Sequence, residues 1–217
     1  MLYKITEDAI YFYSNQGDYN FMNLVSVFPM VENEIMYETV EQYLLKKKLE
    51  MFQPTNKKLE RLIMSTHNPV LYTVYNRKIQ NVRQDEWSVK YMEWLKHALQ
   101  MRLDQHPQLK KKLFRTRGKH LYFAHPKDRF LGLGFGVKDA WTTDPKFFGE
   151  NQLGKLWMEL RDSLKEEEFA NLPYSKRETK TLEKQQRMID RNRMLQQVMT
   201  GESSSLPLPI LIPIEKK

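Results

Sequence analysis

Apolar residues recur at three- and four-residue steps along several stretches of the chain, which is the spacing of amphipathic helices. The clearest case spans residues 84–105, where Trp87, Leu95 and Leu99 lie on one stripe, and the His-Pro pair that follows ends the pattern. Thr39 stands where a capping residue starts a second helix. Weaker versions of the same period predict helices at residues 38–50, 55–66, 107–116 and 149–164.

In two short stretches between turn residues, the residues are either continuously apolar or alternate between apolar and polar, as in short β-strands. AIYFYS at residues 9–14 predicts one strand, and GKHLYFAH at residues 118–125 predicts another after a glycine turn. LGLGFG at residues 131–136 predicts a glycine-rich loop that leads into the helix at 149–164.

That last helix carries a glycine at a costly place. Leu153, Leu160 and Trp157 form its apolar stripe, and Arg161 belongs to its polar side, yet Gly154 stands in its second turn. A glycine inside a helix costs about 1 kcal/mol relative to alanine. Either another element packs closely against the helix, or a ligand approaches its backbone.

Charge is unevenly spread along the 217 residues, whose net charge is +8. Residues 1–50 hold 4 Lys/Arg and 8 Asp/Glu, whereas residues 101–150 hold 11 Lys/Arg and 5 Asp/Glu. The basic cluster at residues 102–119 suits phosphate groups, although a solvated helix face explains it as well. Cysteine is absent, so neither disulfides nor thiolate zinc sites are expected.

The N-terminus has no signal-peptide pattern, and no apolar run approaches the length that spans a bilayer. We therefore expect a cytoplasmic protein with no membrane partner. The composition changes near residue 170. Residues 176–199 predict a basic amphipathic helix, and a tail rich in Ser and Pro follows. We expect one folded domain at residues 1–170 and this helix and tail at residues 171–217.

Four motifs along the chain resemble those of one known protein family. IYFYSNQGDYNFMNL resembles a strand followed by a tyrosine-containing loop and a Ser-Asn-Phe-type turn, and YETVEQYLLKKKL resembles a Ser-Glu-His-Tyr helix with a lysine seven residues after the glutamate. DRFLGLG resembles Asp-x-x-Trp-Gly-x-Gly, and GENQLGKLWMELR resembles Gly-x-Asn-x-Leu-Gly-x-x-Leu-Met-x-x-Arg. In this order, over about residues 8–164, they resemble the NADAR family, also called YbiA-like.

The resemblance implies a fold and an activity. The fold is α+β, a helix-rich single domain with a few short strands, which agrees with the pattern described above. The activity is that of an N-glycosidase, a hydrolase of the bond between a ribose anomeric carbon and a nitrogen. The substrate is ADP-ribosylated guanine in nucleic acid or a phosphoribosylamino-pyrimidine of the riboflavin pathway. The partners expected are thus an ADP-ribose- or ribose-phosphate-containing substrate and, through basic segments 102–119 and 176–193, nucleic acid.

Position by position, the resemblance implies that Glu41 and Asp128 are catalytic. The ligand-binding residues that it implies are Asn23, Lys48, Phe130, Gly132, Asn151 and Gly154. Cleavage passes through an oxocarbenium-like state, which a carboxylate beside the anomeric carbon stabilises. Lys48 lies two helical turns after Glu41 and so faces the same side, where it suits a phosphate. We expect no cofactor and no metal, because the five histidines have no metal-ligand spacing.

Three positions depart from the family pattern. Met22 replaces a serine, Gln42 replaces a histidine, and Leu131 replaces a tryptophan that offers a stacking surface for a base. These changes support an alternative function, a binding module for ADP-ribose-like ligands or nucleic acid with weakened catalysis. An insertion around VKDAWTTDPKFF contains three candidates for the missing aromatic surface, namely Trp141, Phe147 and Phe148.

Overall fold

Seven helices and five short strands make up the part of the chain described by the computed structural model, residues 2–165 and residue 167. The helices are α1 (Val40–Phe52), α2 (Lys57–Met64), α3 (Pro69–Lys78), α4 (Gln84–Gln105), α5 (Pro107–Phe114), α6 (Val137–Ala140) and α7 (Gln152–Ser163). All five predicted helices are present, as α1, α2, α4, α5 and α7, and the helix-rich α+β fold is confirmed. The expected helix and tail at 171–217, including basic segment 176–193, lie outside the described residues.

A three-stranded sheet forms one layer. Its middle strand, β2 (Ala9–Phe12), is antiparallel to β1 (Tyr3–Ile5) and parallel to β5 (His120–Phe123). All four residues of β2 are buried, because helices cover one face of the sheet and the glycine-rich loop covers the other. A separate hairpin joins β3 (Met30–Glu32) to β4 (Ile35–Tyr37).

The main core lies where α1, α4 and α7 meet the sheet. The apolar stripes identified in the sequence face inward, since Trp87, Leu95, Leu153 and Leu160 are buried. The side chain of Trp157 is fully buried, and its indole Nε1 donates to the carbonyl of Met22 at 2.9 Å. Thr39 caps α1 as predicted, since its hydroxyl accepts from the amide of Gln42 at 3.0 Å.

Gly154 is explained by the contact between α7 and β5. A Cβ placed on Gly154 would lie 2.1 Å from the carbonyl oxygen of Leu121 and 2.5 Å from both amide atoms of Asn151. Asn151 precedes α7 in a left-handed conformation (φ 54°) and joins the helix to the strand. Its side-chain oxygen accepts from the amide of Phe123 at 2.9 Å, and its nitrogen donates to Leu121 at 2.9 Å. Of the two explanations for the glycine, the structure therefore supports close packing of α7 against β5.

Two arginines that the sequence placed on polar surfaces are buried. Arg102, the first residue of the basic cluster 102–119, is fully buried and cannot contact a nucleic acid. Arg161, assigned to the polar side of the last helix, is also buried, and its guanidinium donates to the carbonyls of Thr116 and Lys119 at 3.0 and 2.6 Å. Buried carbonyls at helix and loop ends need donors, and these two arginines supply them. None of the described helices has the length and apolar character to span a membrane.

Candidate active site

A cleft of about 560 Å³ opens where the sheet, the start of α1 and the loops after β2 and β5 meet. The residues that line it come from three distant parts of the sequence: Leu2, Tyr13, Ser14, Asn15, Asn23, Leu24, Val25, Glu41, Phe123, His125, Asp128 and Leu131. Three of the predicted site residues, Asn23, Glu41 and Asp128, therefore share one cleft. This volume falls in the range of small-molecule sites.

Glu41 lies in the first turn of α1, where its amide is bonded to the carbonyl of Leu24 at 3.1 Å. Within residues 2–165, no group donates a hydrogen bond to its carboxylate, and the carboxylate oxygens are not sealed from solvent. Burial raises the pKa of Glu41, and the nearby charge of Lys48 opposes that rise. The cleft therefore presents an unpaired carboxylate in a partly desolvated place, the state that a reacting carboxylate needs.

Lys48 lies two turns further along α1, as predicted, but is not among the residues that line the cleft. Its ammonium donates to the side-chain oxygen of Asn76 at 2.8 Å and lies 5.1 Å from the centroid of the Trp87 ring. Burial lowers the pKa of Lys48, while the charge of Glu41 opposes that effect. The two charges therefore influence each other without forming a direct ion pair.

Asp128 and His125 belong to the loop that follows β5. One oxygen of Asp128, Oδ1, accepts from the amides of Phe130 and Leu131 at 2.9 and 2.8 Å, which fixes the turn. No donor in the described part of the chain reaches its other oxygen, Oδ2. Burial raises the pKa of the Tyr91 hydroxyl well above its ordinary value, and the charges of Glu41 and Asp128 add to this rise. Both carboxylates thus lie within electrostatic range of one hydroxyl.

Asn23 has a structural role in the wall of the cleft. Its side-chain nitrogen donates to the carbonyl of Tyr13, and its side-chain oxygen accepts from the amide of Val25 at 3.1 Å. Arg102 fixes the same segment, residues 21–26, through hydrogen bonds. Its guanidinium donates to the carbonyls of Phe21, Asn23 and Ser26 at 2.7, 2.9 and 3.2 Å. Burial lowers the pKa of Arg102 to about 9, so the group stays charged at neutral pH.

The other predicted ligand-binding residues are not among those that line the cleft. Asn151 is 5% exposed, and both the oxygen and the nitrogen of its side-chain amide form hydrogen bonds with β5. A Cβ on Gly132 would lie 2.6 Å from the carbonyl of Phe123, so this glycine allows loop and strand to approach each other. Gly154 packs on the same strand. Phe130 is exposed, outside the lining, and its carbonyl accepts from the amide of Gln152 at 3.0 Å.

The departures from the family pattern differ in what they do. Gln42 is fully buried and points away from the cleft, because its side chain accepts from the amide of Glu38 and donates to the carbonyl of Ile63 at 2.7 and 3.0 Å. It holds the start of α1 to the end of α2. Met22 is likewise in the core, and only Leu131 lines the cleft. The three aromatic candidates of the insertion, Trp141, Phe147 and Phe148, lie outside the lining.

Polar and aromatic lining residues that the sequence did not predict include Tyr13, Ser14, Asn15 and His125. They come directly after the parallel strands β2 and β5, whose carboxyl ends meet at one edge of the sheet. Sites in sheets of parallel strands lie at that edge. Recognising that the two predicted strands pair in parallel would have pointed to these residues.

A family model described as NADAR domain matches residues 2–165. The chain belongs to the NADAR family. The cleft is thus a feature of the NADAR domain, which takes up nearly the whole of the described structure.

Comparisons with individual proteins agree with this assignment. The NADAR domain is 25% identical over 127 residues to N-glycosidase R617 of Acanthamoeba polyphaga mimivirus, covering 58% of this chain and 74% of that protein. It is 28% identical over 105 residues to protein irg-1 of Caenorhabditis elegans, covering 47% of this chain and 50% of that protein. The NMR structure of the E. coli protein YbiA matches its fold with a TM-score of 0.59 and 22% identity, covering 81% of this chain and 95% of YbiA.

The arrangement in the NADAR domain offers charge, hydrogen bonding and an apolar wall. Glu41 supplies an unpaired carboxylate, Asp128 supplies a second oxygen that is free of donors from the described residues, and Tyr13, Phe123 and Leu131 supply apolar surface. Within residues 2–165 no three His, Asp or Glu side chains cluster in a way that would hold a metal ion.

Proposed function

We propose that this protein is an N-glycosidase, which hydrolyses the bond between a ribose anomeric carbon and a nitrogen. The observation that carries the proposal is the Glu41 carboxylate, which stands in the cleft without a hydrogen-bond donor or direct ion pair from the described residues. Leaving a charge unpaired at a partly buried position costs stability, and such costs are concentrated at functional sites. Support also comes from the family and from its relative named N-glycosidase.

The proposed roles follow from the chemistry of the bond. As the anomeric carbon–nitrogen bond breaks, positive charge develops on the sugar, and the Glu41 carboxylate stabilises it. Water then adds its oxygen to that carbon, and the proton that the water loses balances the proton that the departing nitrogen gains, so the products are the free sugar hydroxyl and the protonated base. Oδ2 of Asp128 orients a ribose hydroxyl from the other side of the cleft. Lys48, whose charge acts on Glu41, holds a phosphate of the substrate.

For the substrate, we favour ADP-ribosylated guanine in nucleic acid over a free phosphoribosylamino-pyrimidine. The net charge of +8 favours a polyanion. Within the basic segment 102–119, Arg115 and Arg117 are exposed and the lysines are partly exposed, whereas Arg102 is removed from the surface by burial. Segment 176–193 is the second basic region, and its part in binding stays a prediction.

The test is incubation with each substrate, an oligonucleotide carrying ADP-ribosylated guanine and a phosphoribosylamino-pyrimidine, followed by mass spectrometry of released base and sugar. Glu41→Gln keeps the shape of the side chain and removes the charge. We expect turnover to fall by a factor of about 10² to 10³ or more, with substrate binding changed only a few-fold. The matched control is Glu93→Gln, which removes an exposed carboxylate of α4 far from the cleft lining and should cleave like wild type.

One observation favours the second candidate function, a binding module for ADP-ribose-like ligands or nucleic acid. Leu131 gives the cleft an aliphatic side chain where the family has a tryptophan. Gln42 no longer supports this alternative, because its side chain is committed to packing α1 on α2. If wild type cleaves neither substrate and binds ADP-ribose tightly, or if Glu41→Gln cleaves as fast as wild type, the glycosidase proposal is wrong.

A further inference from the structure

Three aromatic rings form one wall of the cleft. The ring of Tyr13 lies 5.2 Å from that of His125 and 6.0 Å from that of Phe123, and the rings of Phe123 and His125 are 5.6 Å apart. All three line the cleft, and Tyr13 is 39% exposed. We call these residues the aromatic wall. An exposed aromatic surface inside a cleft is unfavourable in water unless a ligand covers it.

The hydrogen bonds of His125 fix which of its ring nitrogens carries the proton. Nδ1 accepts from the amides of Lys127 and Asp128 at 3.1 and 2.9 Å, so it carries no proton. In the neutral ring the proton is therefore on Nε2. Within the described residues Nε2 has no hydrogen-bond partner, and it is not among the atoms sealed from solvent. His125 thus presents one N–H donor, held in a fixed direction, beside the exposed ring of Tyr13, whereas the ring of Phe123 is 5% exposed.

Burial lowers the pKa of His125, with the charge of Lys127 acting in the same direction and that of Asp128 opposing it. The ring therefore stays neutral at physiological pH. A neutral histidine with a single N–H donor binds a ligand atom that accepts a hydrogen bond and disfavours a ligand atom that donates one. A charged ring would in addition attract any anion.

We propose that the aromatic wall receives the flat base of the substrate and that Nε2–H of His125 donates to a ring carbonyl of that base. This rests on the proposed function and adds which residues recognise the leaving group. Guanine presents O6 at the position where adenine presents an amino group. An amino group there would face the histidine N–H with two donors and no acceptor. The wall therefore selects 6-oxopurines over 6-aminopurines.

This assignment also accounts for the change at residue 131. The stacking surface that the family places at that position is provided here by the exposed ring of Tyr13, which follows β2 and lies 6.0 Å from the buried ring of Phe123. Leu131 then packs as an aliphatic partner within the same cleft.

The experiment measures binding of three probes by calorimetry: guanosine 5′-monophosphate, adenosine 5′-monophosphate and ribose 5-phosphate. Wild type is expected to bind the guanine nucleotide about tenfold more tightly than the adenine nucleotide, the value of one hydrogen bond. Tyr13→Ala should weaken both nucleotides at least about fivefold and leave ribose 5-phosphate unchanged, because stacking on an aromatic ring serves any base. Phe147→Ala is the matched control, since this exposed ring lies outside the cleft lining.

His125→Asn separates recognition from loop structure. The asparagine side-chain oxygen can accept from the same two amides, as asparagine does before proline, but it has no donor at the position of Nε2. We expect this variant to melt like wild type and to lose the preference for guanine. His125→Ala should lose both the preference and some thermal stability. Equal binding of the two nucleotides by wild type, or an unchanged preference in His125→Asn, would overturn the proposal.

The two proposals can fail separately. If the wild-type enzyme cleaves a substrate while Tyr13→Ala and His125→Asn bind both nucleotides as wild type does, the aromatic wall is refuted and the glycosidase stands. If no cleavage occurs but the nucleotide preferences follow the expected pattern, the glycosidase is refuted, and the wall stands as a base-binding surface.

Discussion

Gly154→Ala adds a single methyl group where α7 touches β5, and we expect it to destabilise the protein. The new Cβ would lie 2.1 Å from the backbone oxygen of Leu121, far inside the distance that real contacts allow. It would also lie 2.5 Å from the amide of Asn151, which joins the helix to the strand. Neither obstacle is the movable end of a flexible side chain, so helix and strand must separate.

The magnitude follows from three contributions. The two hydrogen bonds of Asn151 with β5 contribute about 1 kcal/mol each when they are lost. Overpacking adds about 1–3 kcal/mol. The higher helix propensity of alanine stabilises the variant by about 1 kcal/mol and offsets part of this loss. The net loss is about 2–4 kcal/mol, which in a domain of this size lowers Tm by about 5–15 °C.

The assay is urea unfolding followed by tryptophan fluorescence, because Trp157 is buried on the same helix. Gly136→Ala is the control. A Cβ there would meet its neighbours at 3.8 and 4.0 Å, and the backbone at that residue is ordinary (φ −72°), so the change should stay within about 0.5 kcal/mol. If Gly154→Ala is neutral or stabilising while the control behaves as expected, the close approach of α7 to β5 is wrong.

Four other outcomes can be checked. Leu160→Ala should lower the free energy of unfolding by about 2–5 kcal/mol, and a loss below about 1 kcal/mol would contradict its place in the core. Lys48→Met removes the charge that opposes the raised pKa of Glu41, so carbon-13 NMR of that carboxyl should show a still higher pKa; an unchanged or lower value refutes the coupling. Arg102→Met leaves three backbone carbonyls without their donor and should cost at least about 3 kcal/mol in urea unfolding, whereas a loss below about 1 kcal/mol would refute this role. Removing residues 176–217 should leave cooperative melting intact and weaken salt-sensitive binding to DNA; aggregation would contradict that expectation.

The sequence predicted the long and strongly periodic elements well. The predicted bounds 84–105 agree with α4, because a sustained apolar stripe and the His-Pro pair mark both its face and its end. It missed α3, although Asn68 caps that helix and Pro69 starts it. The reason is its composition, since tyrosines form its buried face while Val70 and Val74 are exposed, so the hydrophobic period is hidden. Strands β1, β3 and β4 have three residues each, too few to show a period.

The candidate site was predictable only in part, because what surrounds a residue depends on tertiary structure. Placing Glu41 and Asp128 in one cleft came from the family motifs. The motifs gave no means of separating residues that face the cleft from residues that support it, and so Asn151 and Gly154, which pack on β5, were grouped with the ligand-binding residues. For Arg102, too, the sequence did not show whether the side chain lies at the surface or in the interior. It looks like one of many surface cations, and only the fold reveals three carbonyls that need its donors.

The parallel pairing of β2 with β5 has a consequence for how the protein folds. It joins residues 9–12 to residues 120–123, so the segment between them must close as one loop, at an entropic cost of about 4 kcal/mol for some hundred residues. Helices α1, α2 and α3 contact one another locally and have no such barrier. During synthesis β2 has only β1 to pair with until β5 has left the ribosome. Because Tyr13 and His125 follow β2 and β5, the cleft forms only when these two strands pair, and a ligand bound there can stabilise only a chain that has closed this loop.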